Sequence, residues 1–469
     1  MKKSIFIVFV FSTFAFTGFS QSCLPNGIYF STQDEIDNFQ TDYPGCTIIE
    51  GSLTISGGSD IVNLNGLNVL TTINGNLEIH NNILLASLSG FENLTNIGGD
   101  LNIGIYGYGN PSLTSFSGLN NLDSIGGDMK LLHNDAILDF SGLDNLISIG
   151  GKFKIFQNDG LTVLSGLDNL ITIGGNFEIK SNDALTNLTG LENLVQVYEN
   201  LEISGNIALE NLSGLNHLDS IGGNFYFWHN DGLIVLSGLD SLSYIGGYLN
   251  IDNNDALFSI PGFGNLTSIG EYISIRYNDA LAAITGFDNL TSAGEYITIF
   301  QNNLLEDISI FNSLTNIAYI SINGNENLQS ITGFNSLETI EEDLSISSNL
   351  SLNSIIGFQS LTSVQNLLIG DDGGNPNLLN LEGLDNLTNV SGNLLIQSNN
   401  SLVNLAELSN IDSVGGHLKI SYNDNLLSLD GLQNINTIGG SLLIFGNDVL
   451  ISLNDIGNIE SLEGIQIWG

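Results

Sequence analysis

Two rows of carboxylates recur along this chain at a spacing of 24 residues: Asp144, Asp168 and Glu192, and Asp135, Asp159 and Asp183. If each step is one turn of a stacked coil, neighbours in a row stand about 5 Å apart, the spacing of adjacent strands. Acids that close can share a calcium ion or divide into a general acid and a general base. The same Asn-Asp pairs also close Asx turns on a solvated corner, which needs no ligand.

The five histidines are His80, His133, His217, His229 and His417. Only His133 and His229 share a position in the 24-residue frame, and four coils separate them, about 19 Å, too far to share a metal. They are expected to be solvated side chains. No G-x-S-x-G, H-E-x-x-H, phosphate-loop or EF-hand pattern occurs. The sequence therefore predicts no catalytic residue, no cofactor and no built metal centre. Weak calcium binding by the acid rows is the one ionic expectation.

The repeat that would position these groups reads L-x-x-L-x-G-L-x-N-L-x-x-I-G-G-x-L-x-I-x-x-N and runs from about residue 50 to the end. Its anchors are Gly66, Gly90, Gly118, Gly142, Gly166, Gly190, Gly214, Gly238, Gly262, Gly286, Ile310, Gly333, Gly357, Gly383, Glu407, Gly431 and Asp455, and all but four steps are 24 residues. A unit of this length cannot bury its own apolar face and must stack on its neighbours. With the anchor as position 0, positions +1, +4, +7, +11, +13, +19 and +22 are apolar in nearly every copy; after Gly166 they are Leu167, Leu170, Ile173, Phe177, Ile179, Leu185 and Leu188. Alternation around +11 and +13 predicts a half-buried strand, a second short strand ending near +22, and a turn at the Gly-Gly of +8 and +9. The expected architecture is an all-β solenoid of about 17 coils, stacked into a rod roughly 80 Å long. Position +3 is Asn in eleven copies, from Asn93 to Asn458. An amide row at one corner is expected to tie successive coils and satisfy buried polar groups.

Residues 1–22 read as a secretory signal of bacterial proportions: Lys2 and Lys3, an apolar run Ile5 to Phe16, then small residues. The alternative is a lipoprotein signal acylated at Cys23, against which Ser20 stands where such a signal wants Leu. Export makes a disulfide the expectation for the two cysteines, Cys23 and Cys46. Both lie in the cap segment 23–50, and between them Ser31 to Glu35 precede Ile36 and Phe39 in the pattern of one short amphipathic helix. That segment would cap the first coil of a solenoid spanning 51–469. No later stretch reaches 18 uninterrupted apolar residues, so no membrane span is expected. The chain stops in mid-coil at Ile465 to Gly469, so either Trp468 covers the last coil or the natural end lies further on.

Acids number 50 and bases 8, a net charge of −42; without Lys2 and Lys3 the balance is 50 to 6, or −44. Such a surface repels nucleic acid and anionic membranes, so neither is an expected partner. The six remaining bases are Lys130, Lys152, Lys154, Lys180, Arg276 and Lys419, at +12, +10, +12, +14, +14 and +12. All lie on the outward face of one strand, where chance would put them on the order of once in a thousand. Aromatics share that face: Phe156, Tyr226, Trp228, Tyr248, Tyr272, Tyr296, Phe300 and Phe445. Tyr248, Tyr272 and Tyr296 occupy +10 in successive coils and should stack. Two loop insertions leave after this strand, Gly104 to Pro111 and Gly370 to Pro376.

The segment Cys46-Thr-Ile-Ile-Glu-Gly51-Ser-Leu-Thr-Ile55, followed by G-G-x-L-x-I-x-x-N-x-x-L-x-x-L-S-G-L-x-N-L units, resembles the receptor L-domain over residues 23–469. That domain is the leucine-rich-repeat-like, right-handed β-helix of insulin and growth-factor receptor ectodomains, with long versions in bacterial surface proteins. The resemblance implies a right-handed β-solenoid and a ligand-binding or cell-surface role, and this chain departs from receptor domains in its greater length. It transfers no ligand residue. The sequence thus points to a secreted or surface, non-catalytic adhesion scaffold that meets a protein or glycan through the face from Lys130 to Phe300. The competing readings are a carbohydrate-active β-helix enzyme and a passive matrix or spacer protein.

Overall fold

The computed structural model describes residues 21–468; residues 1–20 of the expected leader 1–22, and Gly469, lie outside the described residues. Each coil contributes one strand to a parallel sheet, for example Met129–Leu132, Phe153–Phe156, Phe177–Lys180, Leu201–Ser204 and Phe225–Trp228. The register follows the sequence period, so that Lys154, Glu178, Glu202 and Tyr226 stand side by side. The seventeen anchored strands, with Leu53–Ser56 and Ile28–Phe30, make nineteen rungs among the described residues. The count exceeds about 17 because the cap itself supplies early rungs, with Ile28–Phe30 pairing onto Leu53–Ser56.

All seven apolar positions point inward: Leu167, Leu170, Ile173, Phe177, Ile179, Leu185 and Leu188 are fully buried. The second strand, however, sits at +6 and +7, as in Thr172–Ile173, not at +22. Strands ending at +22 form only as two pairs, Ser259–Ile260 with Ala283–Ile284 and Asp307–Ile308 with Ser330–Ile331. In other coils that segment is linked by isolated main-chain bonds, such as Thr186 N–H to Thr162 O and Leu164 N–H to Thr189 O, without a paired strand. Where Glu341-Glu342 and Gln365-Asn366 replace the Gly-Gly bend, the two strands fuse into Thr339–Ser347 and Ser363–Ile369; Tyr198-Glu199 nevertheless keeps the bend.

At nine of the anchors glycine is needed for its left-handed conformation. Gly166 has φ +102°, and a Cβ there would run into the carbonyl of Phe140 in the coil before. A short 3-10 turn holds the anchor at Glu407 and Asp455, Ala406–Leu408 and Asn454–Ile456, and also at Gly66 and Gly357.

The cap holds two short helices, not one: α1 (Gln33–Asp37) and α2 (Phe39–Asp42), meeting at Asn38. Thr32 and Glu35 form a reciprocal capping box on α1, which accounts for its sharp start. Ile36 and Phe39 are fully buried over the first coil. Cys23 and Cys46 are joined in a disulfide. A sulfur in that bond carries no lipid, so acylation at Cys23 is incompatible with this structure.

What ties coil to coil is a column of asparagines at +16. From Asn82 through Asn158, Asn182 and Asn206 to Asn447, sixteen side chains in this column are buried. Asn182 Oδ1 accepts from both the main-chain N–H and the side-chain Nδ2 of Asn158, each at 3.1 Å, while Asn182 Nδ2 donates to the carbonyls of Ile155 and Lys180 and to Asn206 Oδ1. The +3 asparagines are exposed by contrast, and each donates to a main-chain carbonyl of the preceding coil, as Asn169 Nδ2 does to Asp144 O at 2.6 Å. They link coils without an amide-to-amide contact, because at the corner the nearest acceptor is backbone.

Candidate functional site

The outward strand face carries the residues singled out by the sequence, and most of its charges are paired within it. Lys130 bonds Asp128 at 3.0 Å, Lys152 and Lys154 both bond Glu178, Lys180 bonds Glu202 at 2.7 Å and Arg276 bonds Asp252 at 2.8 Å. Lys419 lies 5.8 Å over the Phe445 ring. The acids come from the same strand or the next rung, as the in-register stacking of Lys154 on Glu178 and of Asp252 on Arg276 shows. Burial works to lower the Lys154 pKa, but hydrogen bonds to the Tyr106 hydroxyl and to Glu178 outweigh it and hold the ammonium above its usual range. Burial likewise pushes Glu178 upward, and the two lysines overcome it and keep that carboxyl below the ordinary value.

The tyrosines stack as expected. Ring centroids of Tyr248 and Tyr272 are 4.3 Å apart and those of Tyr272 and Tyr296 4.4 Å, nearly parallel, with Tyr226 and Tyr319 edge-on at the two ends. The core holds a similar column at +1, Phe263, Phe287, Phe311, Phe334 and Phe358, at 5.0 to 5.3 Å. Stacking is thus what a 24-residue period does to any repeated ring. Inside the ladder the ring faces cover one another, so Tyr248 and Tyr272 offer edges and hydroxyls to a partner. Burial first, then the hydrogen bond to Tyr226 and the neighbouring Tyr272, raises the Tyr248 pKa strongly; burial and Tyr272 raise that of Tyr296. The folded state therefore holds these protons longer than the unfolded chain, and the stability they contribute is present below about pH 10 and declines as pH rises beyond it. Absorbance titration should show a fraction of the phenols ionising late, and Tyr248→Phe should remove part of that fraction; a single transition near pH 10 would contradict the ladder.

The first insertion folds back onto this face. Tyr106 receives a hydrogen bond on its hydroxyl from Lys154 Nζ at 2.9 Å, and its ring meets Phe156 edge-on at 5.7 Å. Tyr106 is nonetheless 64% exposed. Three rungs along, Trp228 is 37% exposed, donates Nε1–H to Glu202 at 3.1 Å and leans on His229. The second insertion stays near its own coils, where Ser348 donates to Asp372 O. Phe300 packs edge-on to Tyr277.

The acid rows act on the backbone. Asp144, Asp168 and Glu192 each accept the N–H of the anchor glycine two residues before, at 3.1, 2.9 and 2.8 Å. Burial and the flanking Asp135 and Asp183 raise the Asp159 pKa. Among the described residues no group of three or more His, Cys, Asp or Glu side chains is arranged to hold a metal ion. His417 Nδ1 accepts from the Ser441 N–H, and His217 Nδ1 lies 2.6 Å from Glu192 O, so these rings serve in coil-to-coil links.

Two polar columns emerge only with the structure. The +16 asparagines end every L-x-I-x-x-N unit, so their signal is in the repeat itself. At +10, Asn76, Asp100, Asp128, Asn176, Asn200 and Asn224 each accept the N–H of the next rung.

A receptor L domain family model matches residues 45–126, so the resemblance is shown over that stretch. No curated protein matches the chain. Solved structures that match it include a leucine-rich repeat protein from Bacteroides ovatus, at 13% identity over 81% of this chain and 88% of that one, TM-score 0.27. Others are the TLR13–ssRNA13 complex, at 16% identity over 92% and 76%, TM-score 0.26, and an internalin from Listeria monocytogenes, at 13% over 76% and 84%, TM-score 0.21. At those scores the superpositions carry no argument about this chain. No described helix is long and apolar enough to cross a membrane.

Proposed function

We propose that this protein is an exported, non-catalytic binding scaffold, secreted or held at the cell surface, which meets a protein or glycan partner through the strand face between Asn102 and Trp228. One observation carries the reading: the Tyr106 loop and the base-bearing face, separate features of the sequence, converge at Lys154. An insertion that spans only slack has no reason to seat a tyrosine on a partly buried ion pair. The L-domain match at residues 45–126 supports a ligand-binding role of the same general kind. Export rests on the leader-like residues 1–22 and on the cap disulfide. The net charge of −42 argues against nucleic acid. The tyrosine ladder from Tyr248 to Tyr296 and Arg276 we assign to stability, since their faces and charges are already occupied.

Hydrogen exchange on the full chain with and without a soluble desialylated, desulfated mucin, which offers protein and neutral glycan together, tests this. Protection is expected in Leu101–Ile103, Phe153–Phe156 and Leu201–Ser204. Protection confined to the opposite sheet, around Thr172–Ile173 and its neighbours, would contradict it.

A further inference from the structure

The shape and chemistry of the strand face narrow the class of ligand, provided that this face is the contact surface proposed for it. Two adjacent columns of the face change size together. At +14 the side chains run Phe156, Lys180, Ser204, Trp228, and the register places them on consecutive rungs. At +15 they run Gln157, Ser181, Gly205, His229. Phe156 and Trp228 thus stand about 14 Å apart, three strand spacings, and bound a shallow trough in which Ser204 is buried and Lys180 and Trp228 both reach Glu202.

We propose that this trough, continued beneath the Tyr106 loop, binds a neutral carbohydrate segment laid along the stacking direction. A sugar needs two things at once: an apolar ring face against its C–H surface, and acceptors for its hydroxyls. Tyr106 and Trp228 are the exposed aromatics at the two ends, and neither belongs to the parallel stack that covers Tyr248 and Tyr272. The floor is rich in acceptors. Glu202 gathers Lys180, Trp228 Nε1 and Ser204, and Glu178 gathers Lys152 and Lys154.

On the far side of Tyr106, a concavity of about 240 Å³ is lined by Asn102, Ile105, Lys130 and Leu132. The buried Asn102 Oδ1 has no hydrogen-bond partner there. A buried acceptor left unpaired is costly, and a ligand hydroxyl satisfies it once the amide turns toward the concavity. Charge selects against the alternatives. The four ammoniums of Lys130, Lys152, Lys154 and Lys180 already have carboxylate partners, and a molecule of net charge −42 repels a polyanion.

The test is calorimetric titration of the full chain with neutral oligosaccharides from β-glucan, α-glucan, xylan and mannan, and with polygalacturonate. At least one neutral class should bind, and Trp228→Ala and Tyr106→Ala should each weaken it at least tenfold, with thermal unfolding unchanged. Trp468→Ala, at the other end of the solenoid, should bind as the parent does. Absence of binding across the neutral panel, or preference for polygalacturonate, overturns the proposal. Deglycosylated mucin held with the same dependence on Trp228 would overturn the carbohydrate class and leave the contact face standing. Carbohydrate or mucin binding that ignores both variants would remove both.

Discussion

Asn182→Leu should destabilise the solenoid by about 3 kcal/mol or more, whereas Asn193→Leu should cost about 1 kcal/mol. The two residues are both repeat asparagines, and their surroundings decide the difference. Asn182 is fully buried, and its amide is the acceptor for two donors of Asn158. A leucine there leaves those two donors without an acceptor, each at about 1–3 kcal/mol when no water can enter, and removes one donor from the carbonyls of Ile155 and Lys180. Asn193 is exposed and makes one bond, to Asp168 O at 2.7 Å, which water can replace. Because each coil contacts mainly its neighbours, the break should be local. Urea unfolding should therefore show a lower first transition for Asn182→Leu, and amide exchange should accelerate at Asn158 and the adjoining strands. Equal, small losses for the two variants would mean that the +16 column does not hold the coils together.

That contrast also shows what is legible in the sequence. The apolar positions +1 to +22 are legible because a buried side chain repeats its type at a fixed place, as Leu167 and its counterparts do. The capping box at Thr32 and Glu35 is legible because its residue types are specific to a helix start. The inward asparagine is not, since strand alternation after +11 and +13 would send +15 inward and +16 outward. The structure reverses that parity with a left-handed residue at +15: φ is +56° at His133, +51° at Gln157, +53° at Ser181 and +53° at His229. Histidine, glutamine and serine do not announce such a conformation as glycine does, although Gly205 and Gly446 stand at equivalent places with φ +66° and +64°. Strand parity alone therefore leaves the +3 row as the candidate for the buried ladder, and the structure gives that place to +16.

The contact face is half legible. The frame gathers Lys130, Lys152, Lys154 and Lys180 onto one surface, but the acids of the same columns, Glu178 and Glu202, turn them from free cations into an ion-paired floor. Stacking of Tyr248 on Tyr272 is predictable from period alone, and it removes their faces from contact. Tyr106 is the reverse: its loop stands out as an insertion, yet nothing in the spacing says that the loop folds back over Lys154. A long-range contact of 48 residues made by one loop leaves no periodic trace.

The double substitution Tyr106→Ala with Trp228→Ala carries the largest expected functional effect. Both side chains are exposed, so their removal opens no core cavity, and stability should change by less than about 1 kcal/mol. Exposed aromatic anchors at a contact surface commonly supply about 2 kcal/mol or more each, so losing two should weaken binding by on the order of a hundredfold or more. The direct measurement is retention of the full-length protein on wells coated with desialylated, desulfated mucin, parent against double variant, with matched circular dichroism melts. The account predicts that the parent is retained and that the double variant is lost from the wells while melting at the same temperature. Equal retention of a folded double variant would contradict it.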